Sequence, residues 1–114
     1  SRAGAANFVN LSLTNRIVND TLTNMIRSFK SRNLRRFHLR GDRSKVGANM
    51  ADRIGRLLDL LEAAELPEHM NLPGNDFHKL SGSERYSVHV NGNWCITFEW
   101  DGNEAVRVDL EDYH

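Results

Sequence analysis

The sequence predicts an α+β domain in which an N-terminal helical hairpin packs on one face of a small twisted antiparallel β-sheet. Two patterns support this prediction. Apolar residues recur at helical spacing between Ala48 and Leu66, and apolar and polar residues alternate along successive segments from Tyr86 to Leu110. A chain of 114 residues supports one hydrophobic core with little surplus burial, so no second folded unit is expected.

The first 24 residues differ in composition from the rest of the chain. They are rich in Asn, Thr and Ser, whereas Met25 begins a patterned segment. We interpret residues 1–24 as an N-terminal extension or an added leader, and residues 25–114 as the folded domain. The alternative is a further native helix, because four apolar residues between Phe8 and Ile17 can form a weak apolar edge.

The helices are predicted to follow one short strand. The segment MIRSFK, residues 25–30, alternates apolar and polar residues and is typical of a strand. A short helix is then expected from about Asn33 to Leu39, ending at Gly41. The second helix, from Ala48 to Leu66, is expected to end at Pro67, which cannot continue it.

The alternation also predicts how the strands pair. Three-residue loops at 91–93 and 101–103 keep the apolar residues of three strands on one face, whereas a slip of one residue moves them to the other. The apolar pairs predicted in this way are Tyr86–Phe98, Val88–Ile96, Val90–Trp94, Trp94–Leu110, Ile96–Val108 and Phe98–Val106.

The same register predicts the opposite, polar face of the sheet. His89 is expected opposite Cys95, and Cys95 opposite Asp109. Thr97 is expected opposite Arg107. One face of the sheet therefore packs on the helices, and the other carries polar side chains.

The chain is neutral overall, with 15 basic and 15 acidic residues, but its charge is unevenly distributed. Residues 25–56 carry ten Lys/Arg and two Asp/Glu, whereas residues 57–114 carry three and twelve. Neutrality argues against a freely acting nucleic-acid binder. The basic half can still lie along a phosphate backbone, and the acidic half can shield it or hold a basic partner. An exposed helical hairpin with a charged face explains the same pattern without any function.

The single cysteine, Cys95, excludes an intramolecular disulfide and a four-thiolate zinc site within one chain. No run approaches the roughly 18 apolar residues of a membrane span. A single cysteine favours a reducing compartment, so we expect a cytoplasmic protein that has no membrane partner. No cofactor is expected either, since no cofactor-binding motif is recognised.

Titratable groups converge on the polar face, on the preceding segment FHKLSG (77–82) and on the C-terminal tail. His78 and His114 can approach each other if the tail folds back beside the sheet. Two imidazoles that flank a phosphodiester can act as general base and general acid near neutral pH. Tyr113 is then available to stack on a base or to hold a phosphate oxygen.

A different chemistry is open on the same polar face. His89, Cys95 and Asp109 form a possible ligand set for a transition metal, or a thiol beside a base. Three ligand-type residues often share a face by chance, so we assign no metal site.

Several short motifs follow one another in a fixed order: MIRSFK, a helix pair, FHKLSG, VNGNWCITFEWDGN and EDYH. Together they resemble, from Met25 to His114, the RelE/HigB-type toxins of bacterial toxin–antitoxin systems, the plasmid-killer proteins. The resemblance implies a metal-independent endoribonuclease, an mRNA interferase, that cuts messenger in the ribosomal decoding site and inhibits translation. It also implies a HigA-like helix-turn-helix antitoxin as partner, with DNA reached only through the antitoxin complex.

The resemblance further implies roles for individual residues. His78 matches the family's strand histidine, and Asp112, Tyr113 and His114 match its terminal catalytic triplet. The two histidines are the acid and base candidates, while Asp112 and Tyr113 position the substrate. Eight basic residues of the hairpin are expected to bind ribosomal RNA: Arg27, Lys30, Arg32, Arg35, Arg36, Arg40, Arg43 and Lys45.

Two positions depart from the family pattern, and each loses a cation. Ser81 stands where the family has a lysine, and Cys95 where it has an arginine. Positioned cations stabilise the negative charge of the transition state, and losing one commonly lowers the rate by about two to three powers of ten. Two other cations are expected to replace them. Lys79 lies on the same side of its strand as Ser81, and Arg107 is expected diagonally beside Cys95. His89 is a third possible cation. The alternative is a catalytically attenuated homologue that binds its antitoxin and acts in operon regulation.

Overall fold

Two helices precede a four-stranded antiparallel sheet in the computed structural model, which describes residues 26–112. Helix α1 spans Arg32–Arg40, α2 spans Ala51–Ala63, and a 3-10 turn covers Pro67–Met70. The strands are β1 (His78–Lys79), β2 (Tyr86–Asn91), β3 (Trp94–Asp101) and β4 (Glu104–Asp112), and they lie in this order across the sheet. The predicted α+β class is confirmed. The expected N-terminal extension, residues 1–24, lies outside the described residues.

Helix α1 is closed at both ends by the residues that flank it. The Ser31 hydroxyl accepts a hydrogen bond of 3.1 Å from the Leu34 backbone N–H, which satisfies one of the free donors of the first turn. Gly41 adopts a left-handed conformation (φ 72°) and its N–H donates to the Phe37 carbonyl. The helix predicted from about Asn33 to Leu39, with Gly41 after its end, is confirmed, and each observed end lies one residue further out.

Helix α2 is shorter than the sequence predicted. It ends at Ala63 instead of Leu66, because Ala64 is already extended (φ −70°, ψ 141°). Pro67 therefore begins the 3-10 turn and does not itself end the helix. The predicted apolar stripe is confirmed, since Ile54, Leu58 and Leu61 are at most 1% exposed.

The core lies between α2 and the apolar face of the sheet. Phe98 is fully buried at its centre, where its ring contacts Tyr86 and Trp100 at centroid distances of 5.6 and 6.3 Å. The other buried core residues on the sheet are Val88, Val90, Ile96, Ala105 and Val108. Alternation along β2 and β3 thus predicted the correct buried face.

The segment predicted as a first strand does not form one. Ile26 and Phe29 make isolated parallel bridges to Ala105 and Val108. The backbone of Ser28 lies between them and accepts a hydrogen bond of 3.1 Å from the Val108 N–H. The segment therefore covers the free edge of β4, which limits the exposure of an unpaired strand edge.

The register predicted between β2 and β3 is largely confirmed. Val88 pairs with Ile96, and His89 pairs with Cys95, as expected. The turn, however, has two residues instead of three, because Asn91 pairs with Trp94 and Val90 becomes the extra residue of a bulge. Gly92 occupies the first turn position with φ 58°, where glycine is favoured.

The register predicted between β3 and β4 is wrong by two residues over most of the strand pair. Ile96 pairs with Leu110 instead of Val108. The turn again has two residues, and a bulge sets Arg107, with φ 54°, and Val108 opposite a single residue of β3. Beyond the bulge, the shift of two preserves the alternation, so Val108 and Leu110 lie on the predicted face although their partners differ. Between the turn and the bulge the shift is one, so Val106 pairs with Glu99 instead of Phe98, and Ala105 takes the core position predicted for Val106.

None of the helices within residues 26–112 is long and apolar enough to cross a membrane.

Candidate active site

An open depression of about 170 Å³ lies at the end of the sheet where β2 turns into β3. Its wall includes His78 from β1 and His89 from β2, and its floor is formed by Ser87 and Cys95. The remaining lining residues are Asp76, Gly92, Asn93 and Trp94. Because two histidines border a space open to solvent, this is the part of the described chain best suited to acid–base chemistry.

The orientation of the His78 ring is set by the backbone before it. Asp76 adopts a left-handed conformation (φ 46°), and its carbonyl accepts a hydrogen bond of 2.9 Å from Nδ1 of His78. A carbonyl oxygen cannot donate, so Nδ1 carries the proton in this contact and Nε2 of the neutral ring keeps its lone pair. The exposed His78 side chain can therefore present Nε2 as a base.

The loop that carries Asp76 is tied to helix α2 by one arginine. The Arg53 guanidinium donates to the carbonyls of Gly74 (2.9 Å), His89 (2.9 Å) and Val90 (3.1 Å). Arg53 thus joins the loop before β1 to the end of β2, which are the two segments that carry the histidines. No pattern in the sequence indicates this role, because the partners of Arg53, three backbone carbonyls and the Asn75 side-chain oxygen, lie 21 to 37 residues away.

The floor of the depression is more closed than the predicted polar face. Ser87 and Thr97 are each 1% exposed, and Cys95 is 3% exposed. Burial raises the pKa of the Cys95 thiol, because the thiolate loses its hydration, and this outweighs the opposing hydrogen bond from Ser87. Cys95 is therefore a neutral floor residue and not an activated nucleophile.

Cys95 is expected to react slowly with iodoacetamide at pH 8 in the native protein and rapidly in 8 M urea. Because folding raises the pKa of this thiol, folding favours its neutral form. The resulting contribution to the free energy of unfolding is fully present below the pKa of the thiol in the unfolded chain. It is lost as the pH rises through the higher pKa in the folded protein. Mass spectrometry of the alkylated protein measures both rates. Equal rates in the two states would contradict a buried thiol.

A carboxylate cluster borders the floor on the β4 side. Glu111, and not the predicted Asp109, pairs with Cys95 across the strands, while Asp109 pairs with Thr97. One carboxylate oxygen of Glu111 accepts hydrogen bonds of 2.5 Å from the Thr97 hydroxyl and from Nη1 of Arg85. Arg85 and Glu111 were both missed from the sequence, because the predicted register set Asp109 opposite Cys95.

The structure places the two predicted substitute cations away from the depression. Lys79 pairs with Tyr86, so it shares the face of the aromatic core, and its ammonium lies 3.7 Å from Glu84. Arg107 lies at the β4 bulge and its guanidinium binds Glu99 at 3.0 Å. The prediction that Arg107 lies diagonally beside Cys95 is wrong, because the bulge and the two-residue turn displace it along the strand.

The alternative metal site loses its geometric basis. Asp109 is opposite Thr97 and its carboxylate accepts from the Leu110 backbone N–H at 2.9 Å. Within residues 26–112, no three His, Cys, Asp or Glu side chains are grouped to hold a metal ion.

The C-terminal catalytic candidates are only partly described. Asp112 pairs with Trp94, which lines the depression, so β4 brings the chain to this end of the sheet. Tyr113 and His114 follow Asp112 in the sequence and lie outside the described residues.

The eight basic residues predicted to bind RNA are all exposed. Three of them are engaged in ion pairs: Arg27 with Asp101 and Glu104, Arg36 with Asp42, and Arg43 with Asp52. The other five form no ion pair with the described part of the chain: Lys30, Arg32, Arg35, Arg40 and Lys45. Helix α1 and its flanks therefore offer a positively charged surface to a polyanion.

The α+β fold, with two helices before a four-stranded antiparallel sheet, is consistent with a RelE-like toxin. The chain belongs to the HigB-like toxin family, whose model, described as "RelE-like toxin of type II toxin-antitoxin system HigB", matches residues 27–114. The Endoribonuclease HigB of Proteus vulgaris is 34% identical over 92 residues, which cover 79% of this chain and 100% of that protein. An uncharacterized protein of Haemophilus influenzae is 30% identical over 89 residues, 75% of this chain and 88% of that protein.

Proposed function

We propose that this chain is a toxin of a type II toxin–antitoxin system that cleaves messenger RNA on the ribosome and so inhibits translation in the cytoplasm. The family and a relative named as an endoribonuclease support the ribonuclease activity. The observation that carries the chemistry is His78, whose ring is fixed through Nδ1 while Nε2 remains available at an open depression.

The proposed reaction uses the ribose 2′-hydroxyl of the substrate as nucleophile. His78 Nε2 removes its proton, and the oxygen attacks the adjacent phosphorus while the bond from phosphorus to the 5′-oxygen breaks. His114 donates a proton to the departing 5′-oxygen. The products are a 2′,3′-cyclic phosphate and a 5′-hydroxyl, and the reaction requires no metal. Asp112 and Tyr113 hold the substrate in position.

We further propose that the charged surface of helix α1 binds ribosomal RNA. The triple variant Arg32→Gln, Arg35→Gln and Arg40→Gln is expected to weaken ribosome binding and to flatten its dependence on salt, because each lost phosphate contact lowers the slope of log affinity against log salt by about 0.7 to 0.9. Sedimentation with ribosomes between 50 and 200 mM KCl measures the slope. Arg27→Gln is the matched control, since Asp101 and Glu104 already neutralise Arg27; an unchanged slope in the triple variant would remove the RNA-binding role.

The proposed partner is a HigA-like helix-turn-helix antitoxin, and DNA is reached only through the complex that the two proteins form. Membership in a type II toxin–antitoxin family supports an antitoxin partner.

A second candidate function is that of a catalytically attenuated homologue that binds its antitoxin and acts in operon regulation. Cys95 favours it, because a neutral buried thiol lies on the floor where a cation would stabilise the transition state.

The two functions are separated by expressing the chain without its antitoxin. The ribonuclease proposal predicts growth arrest with the parent, normal growth with His114→Ala, and normal growth with the parent when the antitoxin is co-expressed. Normal growth with abundant soluble parent would favour the attenuated homologue.

A further inference from the structure

Arg85 is a cation that the fold brings close to Cys95, on the floor of the depression. It directly precedes β2, and its backbone carbonyl accepts a hydrogen bond of 2.8 Å from the Leu80 N–H. Its guanidinium crosses the polar face of the sheet to reach Glu111 on β4, with Nη1 2.5 Å from the carboxylate. Because Glu111 is the cross-strand partner of Cys95, the guanidinium lies beside the floor of the depression.

The Arg85 side chain is both held and accessible. Glu111 binds it through an oxygen that the Thr97 hydroxyl also contacts, so the carboxylate has a fixed position. The side chain of Arg85 remains 36% exposed. Among the described residues, Glu111 is the ion-pair partner of Arg85. This contact uses one nitrogen of the guanidinium, which carries five N–H donors in all.

The charge of the surrounding face makes a cation necessary for an anionic substrate. Asp109 and Glu111 project from β4 beside the floor, and Asp76 lines the depression. A phosphodiester that approaches these carboxylates is repelled unless a positive charge is near. Lys79 lies on the other face, and Arg107 lies at the β4 bulge beside Glu99, which is far along β3 from Cys95, so neither supplies that charge.

We propose that Arg85 is a substrate-binding and catalytic residue that contacts the phosphate to be cleaved, and that Glu111 and Thr97 hold its guanidinium beside the depression. This inference rests on the proposed ribonuclease function. A guanidinium matches phosphate geometry through paired hydrogen bonds, and it stabilises the charge that gathers on the phosphate oxygens in the transition state.

The test compares Arg85→Gln, Arg85→Lys and Arg107→Gln with the parent. Arg107→Gln is the matched control, because it also removes an arginine of the same sheet that is bound to a glutamate. Cleavage of messenger on programmed ribosomes is expected to fall about 10² to 10³-fold in Arg85→Gln. Arg85→Lys keeps the positive charge but loses the planar guanidinium and its paired donors. Its cleavage rate is expected to lie between those of Arg85→Gln and the parent. Arg107→Gln is expected to remain within about threefold of the parent.

A second measurement uses an uncleavable 2′-deoxy-substituted oligonucleotide on the same programmed ribosomes. The Arg85→Gln variant is expected to bind it more weakly, and with a salt slope smaller by about 0.7, because one phosphate contact to a single strand is lost. Thermal unfolding of each variant checks that the fold is intact, and a destabilised Arg85→Gln is replaced by Arg85→Lys in the comparison.

The outcomes separate this inference from the proposed function. If the parent cleaves but Arg85→Gln cleaves within about threefold of it, the assignment of Arg85 is wrong while the ribonuclease function stands. If the parent does not cleave, the ribonuclease function and the catalytic role of Arg85 both fail, and the binding comparison decides only its role in substrate binding. Equal binding by parent and Arg85→Gln, or no binding by the parent, overturns it.

Discussion

Replacing His78 by alanine is expected to lower the rate of messenger cleavage about 10² to 10⁴-fold. The ring is held by the Asp76 carbonyl at Nδ1, so the substitution removes the base that Nε2 supplies at the depression. The side chain is exposed, so the variant is expected to fold as the parent does. Single-turnover cleavage on programmed ribosomes, with saturating enzyme, measures the chemical step.

Two further variants identify the atom responsible. His78→Asn keeps an N–H donor for the Asp76 carbonyl but lacks Nε2, and it is expected to be as slow as His78→Ala. His69→Gln is the matched control, since His69 is an exposed histidine whose Nδ1 accepts from the Glu65 backbone N–H, and full activity is expected. Cleavage by His78→Ala at the parental rate would remove His78 from the mechanism.

Replacing Phe98 by alanine is expected to lower the free energy of unfolding by about 3 to 5 kcal/mol. Phe98 is fully buried, and its ring packs against Tyr86 and Trp100, so the substitution leaves a cavity between α2 and the sheet. This is a large part of the roughly 5 to 15 kcal/mol that stabilises a domain. Urea unfolding followed by tryptophan fluorescence measures the change in midpoint and slope.

The control for this substitution is Leu39→Ala, an apolar truncation on the surface of α1. Leu39 is 60% exposed, so its loss is expected to change the free energy of unfolding by less than about 0.5 kcal/mol. A Phe98→Ala variant as stable as Leu39→Ala would mean that Phe98 is not at the centre of the core.

Much of the fold was predictable because it depends on periodicity. The stripe that contains Ile54, Leu58 and Leu61 defined the buried side of α2, and the alternation around Ile96 and Phe98 defined the buried face of the sheet. The register of β4 was not predictable from alternation, because the two-residue turn and the bulge at Arg107 together shift the pairing by two residues. The shift of two leaves the side chains beyond the bulge on their expected face, so the pattern there does not reveal it. Before the bulge the shift is one, and Ala105 instead of Val106 joins the core.

Only those parts of the candidate site that lie within single sequence motifs were predictable. His78 and the route of β4 toward the depression follow from motifs that are contiguous in the sequence. Arg85 was missed because its position depends on the register, which brings Glu111 instead of Asp109 beside Cys95 and gives Arg85 its partner. Arg53 was missed for a different reason, since it binds mainly backbone carbonyls and has no acidic partner that the sequence would indicate.

The central claim is that this sheet carries a ribonuclease site that uses the ribose 2′-hydroxyl. It is tested most directly by incubating the parent with ribosomes programmed with an end-labelled messenger and determining the chemistry of the new termini. The expected result is cleavage that requires the ribosome, leaves a 2′,3′-cyclic phosphate and a 5′-hydroxyl, and is lost in His114→Ala. An intact messenger, or new ends that carry a 5′-phosphate, would contradict the claim.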